Sequence, residues 1–176
     1  MIVVCAGAAQ ASVRMKDYAL MMYLRLVLVV LLCFAKPAFA ETPRVIGSLG
    51  HQLTVDDPEA YLRYLGQPYF KSLQPVLGLS LATNGSAWIG AGSALTWRPG
   101  EGGVFLRVTS MAGLHRMGDG RNLGGPIQFR TALDFGLARP GGFEFGIGAD
   151  HRSSARIYRP NPGLDTVYLF ASTPLN

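Results

Sequence analysis

Between positions 127 and 137 the chain alternates without a break. Ile127, Phe129, Thr131, Leu133, Phe135 and Leu137 fall on one side, and Gln128, Arg130, Ala132, Asp134 and Gly136 on the other. A period of two belongs to an extended strand, whose successive side chains leave opposite faces; a helix would scatter these residues around its circumference. One face is essentially hydrocarbon and the other carries two charges. The stretch from 72 to 82 repeats the pattern, with Leu73, Pro75, Leu77, Leu79 and Leu81 set against Ser72, Gln74, Val76, Gly78, Ser80 and Ala82.

Helical periodicity is missing downstream of residue 40, and turn residues punctuate the chain every ten to fifteen positions. That rhythm predicts an antiparallel all-β protein of eight strands, over 45–53, 59–65, 72–83, 86–98, 103–113, 126–138, 142–153 and 165–173. The second strand has a rival, because the run from Val55 to Ala60 is also suited to opening a short helix. Asn84-Gly85 reads as a hairpin, and 98–102 and 139–141 read as tight turns. The connections over 114–125 and 154–164 are longer, and with the termini at one end both fall at the other. Large apolar residues on one face and small or polar ones on the other suit a narrow barrel with a packed polar interior. A soluble sandwich would reverse the faces, and periodicity alone does not say which is outside.

The N-terminal segment has a different character. From Leu26 to Ala35 it is apolar and uncharged, Lys16 and Arg25 precede it, and Ala38-Phe39-Ala40 offers a small-x-small cleavage site. The layout is that of a secretory signal peptide, too short to span a bilayer as a helix. Met15, Met21 and Met22 are alternative starts, so the first fourteen residues need not be translated. The division is therefore a signal peptide over 1–40 and one β-barrel domain over 41–176. Cys5 and Cys33 both precede the cut, which leaves the mature chain without disulfides or a thiolate metal site. It also carries 12 Lys and Arg against 10 Asp and Glu, a net of +2 with no basic run, which argues against nucleic-acid binding. The prevalence of arginine suits contact with phosphorylated headgroups, or equally a solvated rim.

The last quarter carries the chemistry. His151-Arg152-Ser153 is followed by Asn161-Pro162-Gly163 and then by Asp165, fourteen residues after the histidine. A nucleophile, a base and a carboxylate that orients the base are the parts of a serine-hydrolase site. On a strand His151 and Ser153 project from the same face, and here they continue the apolar stripe of Phe143, Phe145, Ile147 and Ala149. Taken singly, these residues read as rim or turn positions. His51 near the end of strand one and His115 in the 114–125 loop have no such company, and no metal cluster is visible. Trp88, Trp97, Tyr61, Tyr64 and Tyr168 fit interfacial girdles and core packing equally well.

These residues resemble the outer-membrane lipid A 3-O-deacylases, a family also grouped as acyloxyacyl hydrolase-like. Its pattern of His-x-Ser-Asn-Ala, an Asn-x-Gly turn and an acidic residue opening the last strand corresponds to 151–155, 161–163 and Asp165 here. The stretch over 118–130 is similar to the family's loop and sixth strand; the likeness runs from about Leu73 to the end. The resemblance implies an eight-stranded transmembrane barrel of the bacterial outer membrane with its site on the lipid-facing wall. It further implies hydrolysis of the ester-linked chain at position 3 of lipid A, releasing a 3-hydroxy fatty acid, with no metal or other cofactor. Ser153 would be nucleophile, His151 general base and Asp165 its acidic partner, with Asn161 and Ser154 serving the oxyanion or the loop. Lipid A and outer-membrane lipids would be its partners, and a homodimer is left open. Two positions depart from the family: Asp165 stands for the commoner glutamate, and Ser154 for asparagine. The first shortens the reach to the imidazole; the second weakens an oxyanion or positioning contact. Two other readings of the chain are a catalytically silent outer-membrane barrel and a soluble periplasmic lipid binder with an apolar interior.

Overall fold

The computed structural model describes residues 41–175. The expected signal peptide lies outside the described residues. Eight strands follow one another: β1 (Arg44–Gln52), β2 (Asp57–Leu65), β3 (Leu73–Ala82), β4 (Ala87–Trp97), β5 (Val104–Arg116), β6 (Ile127–Ala138), β7 (Glu144–Ser153) and β8 (Leu164–Pro174). Each pairs antiparallel with the next, and β8 returns to β1, closing the barrel. Closure leaves no strand edge unpaired, the condition a sheet must meet in hydrocarbon.

The segment that opened β2 is strand from Asp57, with Pro58 opposite His51 and Leu65 opposite Arg44. The helical alternative loses because β1 and β3 both offer partners along its length. β5 runs three residues further than the sequence suggested. His115 therefore sits on a strand, not in a loop, opposite Trp88 of β4, and β4 stays paired as far as Ala87 with Arg116.

Which face is outside is settled by burial. Leu77, Leu79 and Leu81 of β3 and Leu133, Phe135 and Leu137 of β6 are exposed, while Gln74, Ser80, Arg130 and Asp134 are buried. Leu49 and Leu169 reach 75% and 67% exposure. A belt of this kind around the whole wall is what a bilayer, and not water, covers. The soluble lipid binder required an apolar interior; the interior found here is filled and charged.

That interior is organised in three tiers. At the end with the termini, Arg44, Arg98 and Arg107 converge on Glu144 and Glu41. Midway, Arg63 forks onto Asp134 at 2.8 and 3.2 Å, and the Tyr168 hydroxyl donates to Asp134 Oδ1 at 2.7 Å. At the loop end, Arg130 and Arg152 donate to Glu59 at 2.7 and 2.8 Å, and Gln52 donates to its other oxygen. Tyr61, Trp88 and Tyr168 pack among these charges, edge to face; Tyr64 and Trp97 lie outside. The small residues of β7 now have a reason. A Cβ on Gly148 would come within 2.3 Å of the Tyr168 ring and 2.7 Å of Asp134 Oδ1.

Candidate active site

On β7 the alternation that lays Phe145, Ile147 and Ala149 against the outside continues to His151 and Ser153, while Asp150 and Arg152 turn inward. Arg152 is engaged by Glu59 in the lumen. His151 stands opposite Asp165 on β8, and His151 Nδ1 lies 2.8 Å from Asp165 Oδ1. A carboxylate only accepts, so the neutral imidazole donates through Nδ1–H and keeps Nε2 free as a base. Register alone brings the two side chains together, so the methylene that aspartate lacks does not separate them.

Ser153 follows on the same outward face, about 7 Å along the strand from His151. Among the described residues the hydrogen bond made by the His151 ring is the one to Asp165, and Ser153 is not joined to it. In unliganded sites a nucleophile and its base often stand apart until substrate closes the contact. The ring's free edge is aimed by a glycine. Gly163 adopts a φ of 71° just before β8, and a Cβ there would lie 2.7 Å from His151 Cε1 and 3.4 Å from Nε2. Any side chain at 163 would push the imidazole off its line.

Asn161 and Ser154 find each other. Asn161 Oδ1 accepts from the Ser154 backbone N–H at 2.9 Å and from its hydroxyl at 3.0 Å. Ser154 is fully buried and its carbonyl accepts from Ile157 N–H. Of the two roles that the sequence left open, this geometry is that of a loop clasp, and both donors of Ser154 are spent. The 154–163 loop also leans on the 117–126 loop: Tyr158 lies so close over Gly125 that a Cβ there would meet its ring at 2.4 Å. The two long connections thus fall together at one end, as their lengths suggested.

Beneath His151 and Asp165 the outer wall hollows into a groove of about 580 Å³ that crosses β6, β7, β8 and β1. Leu133, Phe135, Ile147, Leu169 and Leu49 line it, and Gly148, Ala149 and Gly50 let it deepen. His51 stands at its β1 side with Nε2 2.7 Å from Asp56 Oδ1. His115 is not part of the site: it points inward, and its Nε2 is buried without a partner among the described residues.

Two residues of this neighbourhood escaped the sequence reading as site components. The packing of Gly163 on the imidazole needs coordinates to be seen. Thr131, outward on β6 and directly opposite His151, had left a trace: it is the hydroxyl in the hydrocarbon stripe of that strand.

A family model described as Lipid A 3-O-deacylase (PagL) matches residues 56–174. Among solved structures the chain is similar to one described as the crystal structure of the outer membrane enzyme PagL, with a TM-score of 0.62 and 18% identity. That alignment covers 75% of this chain and 99% of the other. It is also similar to a de novo designed transmembrane β-barrel, with a TM-score of 0.55 and 9% identity over 76% of this chain and 95% of the design. No curated protein sequence matches. At these identities the solved structures speak for the fold, and the family model speaks for descent.

Proposed function

The chain belongs to the lipid A 3-O-deacylase (PagL) family, and on that premise we propose that it is a serine esterase of the bacterial outer membrane. It removes the acyl chain ester-linked at position 3 of lipid A. Export through a signal peptide over 1–40 delivers a barrel whose short turns face the periplasm and whose long loops face outward. The observation that carries this reading is the hydrogen bond from His151 to Asp165 on the lipid-facing wall, directly above an apolar groove.

Lipid A lies in the outer leaflet, so its ester reaches an outward site by lateral diffusion, without leaving the membrane. The acyl chain settles into the groove over Ala149 and Val167. Ser153 Oγ then attacks the ester carbonyl while His151 Nε2 takes its proton, and Asp165 holds the imidazolium that forms. Collapse of the tetrahedral intermediate breaks the bond to the sugar oxygen, and His151 returns the proton to that oxygen. Water, activated by the same imidazole, then releases the fatty acid from Ser153. The low dielectric of the surrounding hydrocarbon strengthens each of these contacts. Asn161 acts at one remove, by clasping Ser154 and so setting the loop that brings Gly163 against the ring.

The test is to incubate the detergent-refolded mature protein with lipid A and follow the product by mass spectrometry, beside Ser153→Ala and His151→Ala. Loss of one 3-hydroxyacyl chain with the wild type alone establishes the esterase. No loss from a correctly folded barrel makes it a catalytically silent one.

A further inference from the structure

In the reading above, the negative charge that develops on the ester oxygen still lacks a donor. Ser154 follows the serine directly, and its hydroxyl and backbone N–H both donate to Asn161 Oδ1 inside the wall. With that residue fully buried, neither donor faces an ester held outside.

One exposed hydroxyl stands beside the site. Thr131 of β6 lies opposite His151 of β7, which lies opposite Asp165 of β8, so the three side chains form one outward row across the strands. All three are exposed. Directly opposed Cβ atoms in such a row are about 5 Å apart, and diagonal neighbours about 7–8 Å. Ser153 stands opposite Phe129, two residues from Thr131 on β6, which makes Thr131 and Ser153 such diagonal neighbours. That gap accommodates a tetrahedral carbon bonded to Ser153 Oγ with its oxyanion turned toward Thr131 Oγ1. The imidazole leaves the space clear: its Nδ1 is drawn to β8 by Asp165 and its Cε1 rests over Gly163. Around Thr131 on the same strand face stand Phe129 and Leu133, both exposed hydrocarbon. A hydroxyl among lipid chains is costly without a partner, and an oxyanion is the strongest acceptor that the reaction brings there.

We propose that Thr131 is a catalytic residue that donates its hydroxyl hydrogen to the oxyanion. The inference rests on the esterase reading. As Ser153 Oγ bonds to the carbonyl carbon and its proton passes to His151 Nε2, the carbonyl π electrons move onto oxygen, and that oxygen accepts from Thr131 Oγ1–H. Collapse returns the electrons to the carbonyl and breaks the bond to the sugar oxygen, which takes the proton back from His151.

The experiment compares Thr131→Val, which keeps the shape and removes the donor, with Thr131→Ser, which keeps the donor, in refolded full-length mature barrels. Ser110→Ala, one strand further from His151 on the same outward row, is the control. Two rates are read: turnover of lipid A, and covalent labelling of Ser153 by a long-chain alkyl fluorophosphonate. In the labelling the serine oxygen displaces fluoride and the phosphoryl oxygen takes the oxyanion's place. Removing one oxyanion donor costs roughly 100- to 1,000-fold in kcat, and Thr131→Val is expected near the lower figure. KM stays within twofold and labelling slows in step. Thr131→Ser keeps most of the rate, and Ser110→Ala all of it. Equal rates for Thr131→Val and wild type overturn the assignment, as does a loss that Thr131→Ser shares in full. A folded wild type that neither cleaves nor is labelled overturns the esterase reading first, and the role of Thr131 with it.

Discussion

Adjacent residues of β7 lead opposite lives. Arg152 points into the lumen, 1% exposed, with Glu59 at 2.8 Å and Arg130 sharing the same carboxylate. His151, one position earlier, points into the bilayer side with its ring more than half exposed and Asp165 as its partner. Both are polar groups paired with a carboxylate, yet only one stands where a substrate can come. Inside, each charge is enclosed by others, and losing a sole counter-charge leaves a buried ion uncompensated. Outside, the pair is open along one edge, and His151 Nε2 makes no hydrogen bond among the described residues; under the proposed function that nitrogen is the base. In a barrel of this size, pairing tells little about function; the face on which the pair stands tells most.

The contrast can be broken from either side. The largest effect falls on chemistry: Ser153→Ala or His151→Ala is expected to lower kcat on lipid A by at least about 10⁴-fold. The folded barrel keeps its heat-modifiable mobility on a gel, and an unfolded variant would remove the contrast. Next comes the lumen. Glu59→Ala leaves Arg152 without its carboxylate and Arg130 with Asp150 alone, and is expected to cost about 3–5 kcal/mol of folding stability, read as a lower urea midpoint in detergent, while the activity of each folded barrel is retained. Gly163→Ala places a methyl where the imidazole edge rests and asks an L residue to hold a positive φ. A misaimed base of this kind costs roughly 10- to 100-fold in kcat, with little change in KM. The smallest effect is expected from Asp165→Glu, under about tenfold, because register already brings this position to His151. A larger loss would mean that the strand spacing is tuned to the shorter acid.

Much of this contrast was legible before any coordinates. The period of two over 127–137 carries the strand, and the hairpin at Asn84-Gly85, where Gly85 takes a φ of 74°, carries the connection. The grouping of His151, Ser153 and Asp165 was legible because strand alternation sets the first two on one face and the fourteen-residue spacing returns Asp165 at the start of the next strand. What stayed hidden was long-range. Nothing local announces that Arg63 meets Asp134, 71 residues away, or that Gly148 is small to admit Tyr168. The direction of the faces was equally hidden, since an alternation reads the same inside out. Gly113 reads as a strand end, which puts His115 in a loop, whereas continuous pairing with β4 carries the strand past it. A threonine in a strand, as at Thr131, carries no signal of its own until register sets it opposite a histidine.

The tiers of charge that fill the lumen have a consequence for the cell envelope. An eight-stranded barrel with an open centre would breach the membrane, yet Arg63, Asp134 and Tyr168 tie β2, β6 and β8 together across the middle of this one. Buried side chains of all three tiers stand in the path that ions and small solutes would take. Reconstituted in a planar bilayer, the protein is expected to carry no steady current, so a bacterium can stud its surface with it and leave its barrier to antibiotics and salts unpierced.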